Sequence, residues 1–315
     1  MRELINRESM AGIEEILDVS EEQSPELKEK LENIAGEHNA VLLAMIAPYV
    51  GVKATPSKVL TAHLGISEEF GVETVIEEIQ NKTECKKLYL LINSPGGLVQ
   101  SSYKVARAIR NSFKEIIVFV PHIAASGGTL VALAGNKIVM GLMSQLTPLD
   151  PQKDVGNRFI SAQSIVRGFD FVTEFFRKVS PEDAPYTFRV LAEKFDAVDI
   201  DEALSIMNMM KGYIVEVLEK CGYPPDKCES ISESLVTGFY DHGEVITYEK
   251  ARDLGLNVVE PSKYPDVWPV FREWLGKYLL KSADKHIIRY IIPKSKPQSE
   301  GGGNDGDKEC DQQNN

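Results

Sequence analysis

Residues Leu88 to Gly141, LYLLINSPGGLVQSSYKVARAIRNSFKEIIVFVPHIAASGGTLVALAGNKIVMG, decide the fold. Leu88 to Asn93 is a short apolar run, and Ser94-Pro95-Gly96-Gly97 ends it with two glycines free to take backbone angles closed to other residues, so it reads as a strand and a turn. After the turn, Leu98, Val105, Ala106 and Ile109 share one helical face, with Lys104, Arg107 and Arg110 largely off it, until Asn111-Ser112 ends the pattern. Ile116 to Val120 is a second short run, rich in β-branched residues and closed by Pro121. Ile138 to Met140 is a third, after the small-residue segment Leu130 to Gly135. Strand, helix, strand, helix, strand predicts an α/β domain with a parallel sheet and right-handed crossovers.

Between the second and third strands lies Ala124-Ala125-Ser126-Gly127-Gly128-Thr129. If Gly127 opens a helix, its amide is one of the unpaired donors at a helix N-terminus, where negative charge is stabilised. Ser126 then sits beside an anion site, and Gly96-Gly97, after the neighbouring strand, can supply a second free amide. Two backbone amides facing one hydroxyl make an oxyanion hole, in which a single donor is worth about 2.7–4 kcal/mol. A serine in a Gly/Ala turn also has a plain use as a turn or N-cap residue; the second glycine pair is what favours chemistry.

Ile92-Asn93-Ser94-Pro95-Gly96-Gly97 followed by Ala124-Ala125-Ser126-Gly127-Gly128 resembles the ClpP/crotonase superfamily of serine peptidases. The spacing of 29 residues from Gly97 to Ser126 is similar to that of the Clp proteolytic subunit, and the Ser-Gly-Gly ending to that of signal peptide peptidase A. Pro121 to Thr129 and Leu149-Asp150-Pro151-Gln152 most resemble the serine dehydrogenase proteinase family. The core of the resemblance covers about residues 88 to 152, and an echo returns at His242 to Val258, where Ile246 to Leu256 is similar to the helix and turn that close these domains. The resemblance implies a serine peptidase with Ser126 as nucleophile and no metal or organic cofactor. It also implies homo-oligomers, with the amides of Gly97 and Gly127 holding the oxyanion and Gly96 shaping that loop.

The base stays open at this level. The Clp-type pattern would put a histidine near Asp150, but none lies between His122 and His242. Asp150 is kept as a candidate because the motif match falls there. Lys178 is the best lysine by its distance after Ser126, by resemblance to signal peptide peptidase A; Arg167 stands where other members carry a lysine, and an arginine cannot act as a base at neutral pH. His242, in Asp241-His242-Gly243, echoes the position of the third triad member and has a side chain suited to base chemistry near pH 7. His122, four residues before Ser126, is expected to shape the nucleophile turn.

Working outward, 315 residues with 43% hydrophobic composition can bury a large core. The net charge of −12 argues against nucleic acid or an anionic membrane as partner. No apolar run approaches a membrane span, and Met1 to Ala40 is too charged for a secretory signal, which places the expectation in the cytoplasm. Cys85, Cys221, Cys228 and Cys310 then read as reduced thiols.

Residues 1–40 are expected to form an N-terminal helical arm, in two helices that meet around Ser20 to Pro25. Residues 41–292 form the peptidase domain. Its first core strand lies within Val41 to Ala47, with a loop from Pro48 to Lys58. A helix from Ser67 carries Phe70, Val75, Ile76 and Ile79 inward, and a helical insertion runs from Ile160 to Cys221. Trp268 to Leu279 and His286 to Ile292 read as a helix and strand of a C-terminal arm that packs on a neighbouring subunit. Residues 293–315 read as a disordered tail. The function expected is hydrolysis of peptide or unfolded protein substrates. The rivals are a non-proteolytic scaffold of the same fold, favoured by Arg167 and the missing histidine, and acyl-CoA thioester chemistry.

Overall fold

The computed structural model describes residues 24–48, 52–55, 58–60, 63–154, 159–279 and 286–293. Helix α1 (Pro25–His38) leads into strand β1 (Val41–Ile46), the hairpin β2 (Val52–Thr55) and β3 (Lys58–Leu60), and helix α2 (Ile66–Lys82). The decisive stretch then gives β4 (Lys87–Asn93), α3 (Val99–Ser112), β5 (Glu115–Val120), β6 (Ile123–Ala124), α4 (Gly127–Ala132) and β7 (Lys137–Met140). β8 (Gln145–Leu146) and the hairpin β9 (Gln152–Asp154) and β10 (Phe159–Ser161) precede the helices α5 (Ala162–Phe176), α6 (Tyr186–Ala192), α7 (Ala197–Lys220) and α8 (Pro225–Thr237). The chain closes with α9 (Tyr248–Asp253), β11 (Val258–Val259), α10 (Val267–Leu279) and β12 (Ile287–Ile291).

The main sheet has six strands in the order β11-β7-β5-β4-β1-β12, all parallel except β12, which runs antiparallel to β1. Its strands read as continuous apolar runs because both faces are covered. Val41, Leu43 and Met45 of β1, and Leu88, Leu90 and Ile92 of β4, face one core with α2, α3, α7 and α8. The alternate residues Leu42, Ala44 and Ile46, with Tyr89 and Leu91, face a second core built by Leu27 and Leu31 of α1 and Phe271 and Trp274 of α10. This is the two-residue period of a strand sandwiched between helical layers.

Several expectations change in detail. Residues 261–279 and 286–293, read as parts of an arm for a neighbouring subunit, pack on their own chain: Trp274 and Phe271 are fully buried under the sheet, and β12 pairs with β1 over Leu42 to Ile46. The aromatic face of the helix is covered by the sheet and α1, and the β-branched strand takes the edge of β1. The loop after Pro48 contains the β2–β3 hairpin. Phe70 points outward at 55% exposure, and Val72 takes an inner place on α2. Arg110 lies inside, its guanidinium donating to the carbonyls of Ala134, Phe113 and Lys114 and to Asn136 Oδ1, which satisfies the charge that helical spacing had put outside. Cys85, Cys221 and Cys228 are free thiols, and burial pushes the Cys221 thiol up despite the nearby Arg110. Helix α1 begins at the expected break, while its expected N-terminal companion and the tail from residue 294 lie outside the described residues. No described helix is long and apolar enough to cross a membrane.

Candidate functional site

β4 and β5 run parallel side by side; beyond their carboxyl ends Ser94 bridges Ala124 of the short β6, and a glycine-rich turn follows each of these two residues, the usual place for chemistry in a parallel sheet. Ser126 caps the N-terminus of α4 with φ 49° and ψ −122°, a conformation favoured by glycine. Two contacts hold it there: its N–H donates to Thr147 Oγ1 at 2.7 Å, and its carbonyl accepts from Thr129 N–H at 2.8 Å. Its hydroxyl makes no hydrogen bond among the described residues.

The glycine turn after β4 packs directly against Ser126. A Cβ on Gly96 (φ +92°) would sit 2.5 Å from Ala125 O, 2.7 Å from Gly127 N and 2.8 Å from Ser126 Cβ, so only glycine fits. On its other side the turn pairs with Leu64: Leu64 N–H donates to Gly96 O and Leu98 N–H to Leu64 O, each at 2.8 Å. In a strand, successive amides point to opposite edges, so the Gly97 N–H between these two points away from Leu64. A Cβ on Gly127 would lie 3.2 Å from Gly97 N and would overlap Ser102 Oγ. The Gly97 and Gly127 amides therefore stand close together beside Ser126, and neither donates to a protein acceptor among the described residues.

Strand β8 runs parallel to β6, and on its other side Leu146 pairs antiparallel with Ile246. Counting four residues forward from Leu146 and four back from Ile246 sets Asp150 opposite His242. The side chains meet there: His242 Nδ1 lies 2.6 Å from Asp150 Oδ1, with the carboxylate 6% exposed and the imidazole 30%. With Nδ1 engaged by a carboxylate, Nε2 is left as the proton acceptor. Arg167 buttresses this loop from α5, with Nη2 3.3 Å from Tyr240 O and its guanidinium 5.5 Å from the Tyr240 ring centre.

Of the expected site residues, the structure gathers Gly96, Gly97, Ser126 and Gly127 into one turn pair, and joins Asp150, in the loop after β8, to His242, in the turn before α9. It forms no hydrogen bond between Ser126 and His242. Lys178 stands apart after α5: its Nζ is 4.0 Å from Glu174 Oε2 and its side chain is 78% exposed. His122 is exposed, and its carbonyl accepts from Gln145 N–H in the turn before Ser126. No group of three or more His, Cys, Asp and Glu among the described residues could hold a metal ion. Thr147 was missed by sequence reasoning; its only signal was a hydroxyl three positions before Asp150.

The ClpP-like SDH-type serine proteinase family matches the chain over residues 66–303. The chain belongs to this family. Two uncharacterised proteins of Methanocaldococcus jannaschii are also similar to it. One is 33% identical over 186 residues, covering 59% of this chain and 58% of the relative; the other is 29% identical over 231 residues, covering 72% and 70%. The matched segment is thus less than two thirds of the first relative's length. A mutant of the 1510-N membrane-bound stomatin-specific protease is 17% identical with a TM-score of 0.41, over 63% of this chain and 75% of that one. In this ClpP-like SDH-type proteinase the turns at Gly96 and Ser126 lie together despite their separation in sequence because Ser94, after β4, bridges Ala124 of β6 in parallel.

Proposed function

We propose that this serine proteinase hydrolyses peptide bonds with Ser126 as nucleophile, the Gly97 and Gly127 amides as oxyanion hole, and the His242–Asp150 pair as base. The observation that carries the reading is the pair of unengaged amides beside a half-buried serine in a glycine-like conformation. Ser126 Oγ attacks the scissile carbonyl, and the charge that develops on its oxygen is taken up by two preorganised donors. His242 Nε2 receives the serine proton and returns it to the leaving amine. Asp150, on Nδ1, fixes the tautomer and stabilises the imidazolium. The contact from imidazole to hydroxyl forms in the substrate complex, where catalytic contacts commonly tighten.

The pair removes the main ground for a non-proteolytic scaffold. Compared with the Clp-type order, acid and imidazole have exchanged places along the chain while the contact between them is kept. Substrates are extended peptides or unfolded segments, laid along the edge of the Gly96 turn that faces Ser126, since the edge toward Leu64 is already paired and the Gly97 amide on the facing edge has no acceptor among the described residues. The exposed aromatic face of residues 159–204 serves self-association.

Fluorophosphonate labelling read by mass spectrometry, together with peptide turnover, tests the assignment. Ser126→Ala abolishes both. His242→Ala lowers turnover by about 10³-fold or more and Asp150→Asn by a comparable factor, as loss of triad members does elsewhere. Lys178→Ala stays within about threefold of wild type, since a solvated amine contributes no base. Loss of labelling in Lys178→Ala with His242→Ala unaffected would transfer the role to the lysine.

A further inference from the structure

Beneath the glycine turn lies a second polar constellation that the mechanism does not use. Ser94, His286 and Glu68 come from the end of β4, the start of β12 and the first turn of α2, and their relative exposures are 0%, 4% and 3%. His286 Nε2 is 2.8 Å from Ser94 Oγ, and Ser94 Oγ accepts the Gly96 N–H at 3.1 Å. The other ring nitrogen, Nδ1, faces Glu68 Oε1 at 3.8 Å and has no hydrogen-bond partner among the described residues. Glu68 is itself held by Gly65 N–H at 2.9 Å, Ser67 Oγ at 2.8 Å and His286 N–H at 3.3 Å.

Serine, imidazole and carboxylate in this order look like catalytic machinery, yet no substrate reaches a serine with no exposed surface. The order has another consequence. A carboxylate facing Nδ1 keeps the proton on that nitrogen, so Nε2 is an acceptor and takes the Ser94 hydroxyl proton. The Ser94 oxygen then has only lone pairs left to offer, and they meet the Gly96 amide. Ser94 also joins the two turns through its backbone: its N–H donates to Ile123 O at 3.0 Å and its carbonyl accepts from Ala125 N–H at 2.9 Å. A Cβ on Gly128 would lie 3.3 Å from Ser94 Oγ, so the hydroxyl is packed under the start of α4 as well.

We infer that Glu68, His286 and Ser94 form a buried positioning relay that holds the Gly96 peptide and thereby aims the neighbouring Gly97 amide at the oxyanion. The catalytic half of this inference rests on the peptidase reading above; the structural half does not. All three residues act through the backbone and none touches substrate. The relay also ties the C-terminal strand to the site, so β12 is a functional element as well as an edge strand.

The test uses the full chain with Ser94→Ala, His286→Phe, which fills the same space without nitrogen, and His286→Gln, whose side-chain carbonyl can accept the same Ser94 proton. Hydrogen exchange of the peptide spanning residues 94–98 is measured beside kcat and KM on a peptide whose cleavage requires Ser126. Ser94→Ala and His286→Phe are expected to speed exchange in that peptide at least tenfold and to lower kcat 10- to 100-fold with KM within about threefold, as loss of a transition-state donor does. His286→Gln is expected to lie closer to wild type in both. Exchange unchanged in Ser94→Ala overturns the relay, and so does faster exchange with kcat unchanged in a protein whose Ser126→Ala variant is inactive. If wild type shows no Ser126-dependent cleavage, the peptidase reading fails and the exchange measurement alone decides whether the clamp exists. A variant that does not fold is replaced by Glu68→Gln, read by the same exchange and kinetic criteria.

Discussion

Ser126 is the residue at which stability and chemistry pull apart. Its φ of 49° with ψ −122° is a conformation that a non-glycine residue holds at a cost of about 1–3 kcal/mol. Glycine there would relieve the strain but lose about 0.5–1 kcal/mol more backbone freedom on folding. The balance predicts that Ser126→Gly is more stable than Ser126→Ala by about 1 kcal/mol in urea denaturation, with both inactive. Equal stability of the two variants would mean that the strain is no larger than the entropy cost of glycine, about 0.5–1 kcal/mol. This turn was legible in the sequence because glycines flank it, and so was the second turn, since Gly96-Gly97 must accommodate Ser126 at van der Waals contact. Glu68 and His286 were not legible: they are 218 positions apart, and a buried contact between distant segments leaves no periodicity or spacing to read.

Among the elements, β4, β5 and their crossovers were readable because buried parallel strands are continuous apolar runs bounded by turn residues. The partner of the C-terminal helix and strand was not, since an apolar face announces that it will be covered without saying by what. Covering β1 with β12 also brings His286 against α2, where Glu68 feels opposed influences. Burial pushes its carboxyl up, but hydrogen bonds from His286, Ser67 and Gly65 outweigh it and hold the group down at about 2, against 4.5 for a free glutamate. A depressed carboxyl contributes stability that is present above the unfolded value and lost as pH falls through the folded one. The window is therefore about pH 4.5 to 2, and the shift corresponds to up to about 3 kcal/mol. Urea denaturation should find Glu68→Gln less stable than wild type by roughly that amount at pH 7, with the gap at least halved at pH 3. A gap independent of pH would show that packing, and not the charge, is what the substitution removes.

For the molecule as a whole, the uneven cover of apolar surface is the informative feature. The two cores against the sheet are closed; Ile66 (77% exposed) and Phe70 (55%) of α2 stay open to solvent, and the insertion leaves Phe159 (74%), Phe171 (62%), Tyr186 (74%) and Val198 (64%) open as well. Helix α6 buries none of its residues, and Phe188 stacks on Phe175 at 3.6 Å between ring centres with Phe171 at 5.9 Å. Exposed aromatic groups gathered in one segment mark an interaction surface, since a monomer leaving them bare gains nothing from them. Another copy of the chain has the matching apolar face, but bringing two chains of net charge −12 together is opposed by their like charge. Screening weakens that opposition and leaves apolar burial intact, so association should strengthen as salt is raised from about 0.05 to 0.5 M, where the Debye length shortens severalfold. Light scattering across that range is expected to give masses above the 35.0 kDa chain for wild type, and to return Phe171→Asp toward the monomer with its circular dichroism unchanged. Monomers for both proteins at every salt concentration would leave the insertion face to some other partner. Association that weakens with salt would instead point to an interface built on charge pairs.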